Sequence, residues 1–102
     1  IALEHACNGG KADGCHHLGT LYGNGLGVEK NPTKAVELHS SACESGSIEA
    51  CASAGVILHR GLGVEKNSEA ALPMLKRGCL GGNKIACRTE QEIINSTDKT
   101  AP

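Results

Sequence analysis

The chemistry open to this 102-residue chain is concentrated in six cysteines, which fall into three pairs: Cys7 with Cys15, Cys43 with Cys51, and Cys79 with Cys87. Each pair has seven residues between its members, and the device recurs every 36 residues. Such pairs serve as metal ligands, redox couples or structural bridges. Zinc sites favour two to four residues between the first ligands and draw four ligands together. Here the histidines that would complete them, His5, His16, His17, His39 and His59, are out of register with the cysteines. A redox carrier needs one reactive pair rather than three. Disulfides fit best, and they set a condition. Residues eight apart in one unbroken helix are about 12 Å from each other, beyond the roughly 7 Å Cα limit for a bridge. The chain must therefore reverse inside each pair, and Gly9-Gly10, Gly46-Ser47 and Gly81-Gly82 stand where it would do so, because glycine ends helices in a left-handed conformation. We expect three staples, each across its own helix corner.

Other chemical motifs fail on context. The run Gly23 to Val28, GNGLGV, lacks the preceding strand, the Gly-Lys-Ser/Thr ending and the dinucleotide spacing of a phosphate loop, so it reads as a helix-ending turn. Ser96-Thr97-Asp98-Lys99 fits the S-x-x-K pattern of penicillin-recognising enzymes, but Lys99-Thr100-Ala101 is not their K-T-G element. Asn95-Ser96-Thr97 fits a glycosylation sequon, which matters only on a eukaryotic secretory route. His16 and His17 point about 100° apart on a helix, with no acid or nucleophile placed in sequence to use them. No catalytic residue, metal site or cofactor is expected.

Composition bounds what must hold these residues in place. The chain has one tyrosine and neither phenylalanine nor tryptophan, so burial at about 25 cal/mol per Å² gives it less than an ordinary domain gains. Each bridge closes about nine residues and contributes roughly 2.5 kcal/mol in the chain-entropy model. Three together are comparable to the net stability of a small domain, about 5 to 15 kcal/mol. The net charge is −1 with both signs mixed, which leaves no electrostatic footprint for nucleic acid or an anionic membrane. No apolar run is long enough to span a bilayer, and no signal peptide is visible, although a targeting segment could precede Ile1.

The elements follow from the repeat. GLGVEKN occurs at Gly25 to Asn31 and again at Gly61 to Asn67. A first helix carries Cys15, Leu18, Leu21 and Tyr22, repeated as Cys51, Ala54, Ile57 and Leu58. Gly19 and Gly55 sit inside it, where glycine costs about 0.5 to 1 kcal/mol, which suggests close passage of another helix. Asn31 with Pro32, and Asn67 with Ser68, signal the start of a second helix. Its apolar face is expected on Ala35, Leu38 and Ala42, then on Ala71, Met74 and Gly78, with a kink or late start at Pro73. Glu90 and Gln91 stand where earlier units have Leu18-Gly19 and Ala54-Gly55, as in a terminal repeat with a polar outer face. We expect a partial repeat at 1–14, repeats at 15–50 and 51–86, a capping helix at 87–95 and a disordered tail at 96–102. Ile1 to Ala6 then form half a unit, and Ile1 and Leu3 are expected to find cover by self-association.

With Leu18-Gly19-x-Leu21-Tyr22, Gly25-x-Gly27-Val28-x-Lys30-Asn31 and Ala42-Cys43 quoted, the chain resembles the Sel1-like repeat family, relatives of the tetratricopeptide repeats. The second unit repeats the pattern without the leucine and tyrosine. The cysteines are similar to those of its cysteine-rich branch, which includes secreted bacterial proteins of the Helicobacter cysteine-rich type and a mitochondrial intermembrane-space factor for cytochrome c oxidase assembly. The resemblance implies an all-α fold, a right-handed superhelical α/α solenoid of antiparallel helix pairs stapled at their corners. It further implies a scaffold that binds a protein or peptide in its concave groove, lined by the first helices. Some cysteine-rich relatives have been described as penicillin-binding or as weak β-lactamases, so a β-lactam- or peptidoglycan-binding protein is the alternative. Along the first helices, His16, His17 and Thr20 give way to Ala52, Ser53 and Val56, then to Arg88, Thr89 and Glu92. Variation on one face over a repeating frame is what a partner-reading surface would show, and His16, His17, Thr20, Ser53, Val56, Arg88 and Glu92 are the candidates. Paired cysteines point to an oxidising compartment, secreted or periplasmic, with the intermembrane space as alternative.

Overall fold

The computed structural model describes the backbone of residues 12–100 and the side chains of residues 12–96. Within them the 36-residue period becomes two antiparallel helix pairs and a closing helix. Helix α1 (Ala12–Asn24) pairs with α2 (Pro32–Glu44), α3 (Ile48–Arg60) pairs with α4 (Ser68–Leu80), and α5 (Lys84–Thr100) follows. No strand occurs among the described residues. The fold is an all-α solenoid in which α2 packs on α3 and α4 on α5, while α3 also touches α5. The expected half-unit at Ile1 to Ala6 lies outside the described residues.

One asparagine in each unit both closes the loop and opens the next helix. Asn31 donates its backbone N–H to the Tyr22 carbonyl at 2.8 Å, and Asn67 donates to Leu58 at 2.7 Å. Their side-chain oxygens accept from the N–H groups of Lys34 and Ala70 at 3.1 and 3.0 Å, an N-cap worth about 1 kcal/mol each. The preceding turn needs Gly27 and Gly63 at φ 76° and 77°, as the repeated glycine loop implies. Because Asn67 fixes the start, α4 begins at Ser68 and runs through Pro73. The late start expected there does not occur. Pro73 is exposed, so the carbonyl that loses its helical partner can bond water.

The corners are stapled as their spacing requires. Cys43 is bridged to Cys51 and Cys79 to Cys87, both with Cα atoms 4.5 Å apart. Inside the first corner Ser47 donates its N–H to Ala42 at 2.9 Å, and inside the second Asn83 donates to Gly78 at 3.0 Å. The same two residues cap the following helices through Ser47 Oγ and Asn83 Oδ1. Cys7, the expected partner of Cys15, lies outside the described residues, and no described cysteine is free.

The core is built from small residues and sulfur. Cys15, Ala42, Cys43, Ala50 and Cys51 form one buried cluster; Ala52, Ala71, Leu75, Ala86 and Ile93 form another. The second helices face inward differently from the expectation. Leu38 and Met74 are only half-buried, while the next residues, His39 and Leu75, are buried with Ala35 and Ala71. A helix at 3.6 residues per turn places i, i+4 and i+7 on one stripe, and here that stripe is Ala35, His39 and Ala42. The two interior glycines answer to the same stripe: a Cβ on Gly19 would lie 2.9 to 3.0 Å from the His39 ring, and one on Gly55 would lie 2.5 Å from Leu75. A second helix does pass too close for a side chain.

The chain's last helix differs in extent from the reading above. Its backbone is helical to Thr100, five residues past the limit of 95 expected for the capping helix. Between Lys84 and Thr100 there is no glycine or proline to stop a helix, and Gln91 donates to Asn95 one turn on at 3.0 Å. Gln91 is exposed and Glu90 half-buried, the polar face expected of a closing element.

Candidate functional site

The first helices of the two pairs, with α2 and the start of α5, wall a groove of about 810 Å³. Its lining brings together four of the seven candidates, His16, Thr20, Ser53 and Val56. His17, Arg88 and Glu92 are exposed and do not line it. Glu92 instead lies 3.6 Å from His59 Nε2, and His59 Nδ1 is 2.9 Å from Ser68 Oγ. Thr89, equivalent to Ser53, is buried and donates to the Ile85 carbonyl at 2.8 Å. Ser96 of the S-x-x-K motif is exposed on α5.

The groove lining is of mixed character. It includes the aliphatic Val56, Ile57, Leu62 and Ile85; Leu62 and Ile85 are 53% and 60% exposed, so apolar surface there is open to a partner. It also includes His16, His39 and Glu49. Glu49 and Ile85 are equivalent positions one repeat apart, so the same rim site is acidic in one unit and aliphatic in the next.

His39 is the residue that sequence reasoning passed over. It occupies the slot that Leu75 fills in the second unit and is 4% exposed, against 0% for Leu75. A buried imidazole needs a partner. His39 Nδ1 lies 3.1 Å from His16 Nδ1, and the rings are 4.9 Å apart between centroids. Two neutral imidazoles can share this contact when one N–H donates to the other's lone pair. On the far edge of His16, Nε2 is 3.7 Å from Glu49 Oε2. Burial first, and then the neighbouring His16, hold the His39 imidazole at about 4. Burial likewise lowers His16, while the Glu49 carboxylate opposes that shift. The pair is therefore uncharged at neutral pH. The signal for His39 was available in the repeat, as a lone polar residue set against leucine. Its contact with His16, 23 residues away, was not.

The repeat and the fold have counterparts among known proteins. The model of the Sel1 repeat matches residues 12–47 and 48–83. The period is the expected one, and each matched unit begins three residues before the boundary read from the cysteines, at the start of a first helix. Cysteine-rich protein B of Helicobacter pylori is 34% identical with a TM-score of 0.77, the match covering 83% of this chain and 64% of that one. A Sel1 repeat protein from Oxalobacter formigenes is 27% identical, TM-score 0.73, over 82% of this chain and 34% of that one. A protective antigen of uropathogenic Escherichia coli displaying an SLR fold is 27% identical, TM-score 0.82, over 97% of this chain and 21% of that one. The chain thus spans less than two thirds of each. No curated protein is significantly similar in sequence.

Proposed function

Because this chain belongs to the Sel1 repeat family, we propose that it is a non-enzymatic scaffold that binds another protein or an extended peptide in the groove between α1, α3 and the start of α5. The observation that carries this reading is the contrast between frame and lining. The caps, glycine turns and staples are repeated from unit to unit, whereas the groove positions His16 and Ala52, Thr20 and Val56, and Glu49 and Ile85 differ in size, polarity and charge at matched places. Solenoids present such a surface to ligands by repeating a stable unit and varying its exposed face. The exposed Leu62 and Ile85 suit the anchor side chain of a peptide, and the polar lining residues suit its hydrogen-bonding groups. The two bridges fit an oxidising compartment, and we place the adaptor outside the cytosol, secreted or periplasmic. No described helix is long and apolar enough to cross a membrane.

The test is cross-linking mass spectrometry of the full-length protein in extracts of its source. Partner cross-links should reach Lys30, which lines the groove, and should vanish with Val56→Arg while surviving Lys76→Glu on the exposed face of α4. Retention of the partner by a folded Val56→Arg protein would remove the groove from the reading. Turnover of a chromogenic β-lactam that is lost with Ser96→Ala would favour the enzymatic alternative instead.

A further inference from the structure

We propose that His16 Nδ1 and His39 Nδ1 form a two-ligand site for a divalent cation of the zinc class in the wall of the groove, with Glu49 steadying the outer edge of His16. Imidazole nitrogen is a preferred donor to such borderline ions. Nitrogens 3.1 Å apart enclose an N–metal–N angle of about 98° when both bonds are about 2.05 Å long, between square-planar and tetrahedral values. The ring positions carry the argument further. A straight N–H···N bond of that length would hold the two centroids about 5.4 Å apart. Nitrogens aimed at one ion bring the centroids to about 4.8 Å at that bond length. The observed separation is 4.9 Å, shorter than the straight hydrogen bond requires and close to the value for two nitrogens that share one ion.

The surroundings match what a metal-binding histidine needs. Ligating histidines commonly turn their other ring nitrogen to a carboxylate, which fixes tautomer and orientation, and Glu49 lies 3.7 Å from His16 Nε2. His39 is held by packing on Gly19, where no Cβ intervenes. Both rings line the groove, so the remaining coordination positions are open to water or to a side chain of a bound partner. No group of three or more ligating side chains is present among the described residues, and the site is accordingly an open, two-ligand one. The second unit cannot repeat it, since Ala52 and Leu75 stand at the equivalent positions.

Isothermal titration of the disulfide-intact chain with zinc chloride, in a non-coordinating buffer at pH 7.5, tests this. We expect saturable binding of one ion, weakened at least tenfold by His16→Ala and by His39→Leu. The second substitution installs the residue that the other unit already carries, and circular dichroism should show the fold intact. Glu49→Gln should weaken binding about tenfold, as loss of an outer-sphere partner does, while His17→Ala should change it less than twofold. In parallel, zinc should shift the imidazole NMR resonances of His16 and His39 but not of His59. Absence of binding at millimolar zinc, or binding that survives His39→Leu and is lost with His17→Ala, would overturn the proposal.

Discussion

His39 and Leu75 occupy one slot in successive units, and the difference between them has a measurable consequence. Burial, reinforced by His16, holds the His39 imidazole at about 4 instead of 6.5, so the unfolded chain takes up a proton first as pH falls. The stability due to neutral His39 is complete above pH 6.5 and declines as pH falls toward 4. The gap corresponds to about 3 kcal/mol. Beside burial, only His16 acts on His39, and it too disfavours the charge; on His16 itself Glu49 and Asp13 favour charge while burial and His17 disfavour it. Urea unfolding in metal-free buffer should show this loss between pH 7.5 and 4.5, and His39→Leu should flatten the profile. The opposing glycines give a second prediction. Gly55→Ala gains about 0.5 to 1 kcal/mol of helix propensity but sets a Cβ 2.5 Å from the fully buried Leu75. Overpacking costs about 1 to 3 kcal/mol, so the clash wins, and the unfolding midpoint should fall; an unchanged midpoint would mean that α4 yields freely.

At the scale of the element, the glycine turn and the asparagine that follows it act as one joint. Gly27 and Gly63 share their left-handed conformation, at φ 76° and 77°, which costs a residue with a Cβ about 1 to 2 kcal/mol. Their surroundings differ. A Cβ on Gly63 would lie 2.6 Å from Pro32 Cγ in the preceding unit, whereas one on Gly27 meets nothing within 4 Å. Both alanine variants should therefore be destabilised, Gly63→Ala by about 1 to 3 kcal/mol more through the added clash, as read by denaturant unfolding. Equal losses would show that the loop after α3 does not rest on the start of α2.

Across the whole molecule, the staples are unequally protected. Cys43 and Cys51 are 2% and 0% exposed, while Cys79 and Cys87 are half-buried. Thiolate attack requires access to a sulfur, so graded dithiothreitol should open Cys79–Cys87 first and free α5 from its corner. Alkylation and peptide mapping would show the order, and simultaneous opening would mean that α5 detaches only with global unfolding. The two bridges also show how far the linear chain speaks for the solenoid. Corner positions, N-caps and pairing of Cys43 with Cys51 and of Cys79 with Cys87 could be read from residues at most eight apart, because steric and hydrogen-bonding rules over that distance leave few alternatives, and the period from the recurrence of the device every 36 residues. The polar run from Asn95 onward reads as a tail by composition, yet nothing between Lys84 and Thr100 breaks a helix and the backbone is helical to Thr100. Which residue of α2 turns inward was not local at all. Leu38 was the more apolar choice, yet the rotation of α2 is set jointly by α1, α3 and the space over Gly19, and packing of the whole stripe places His39 inside. The meeting of His16, His39 and Glu49 exists only once three helices are docked, and so it belongs to the tertiary structure alone.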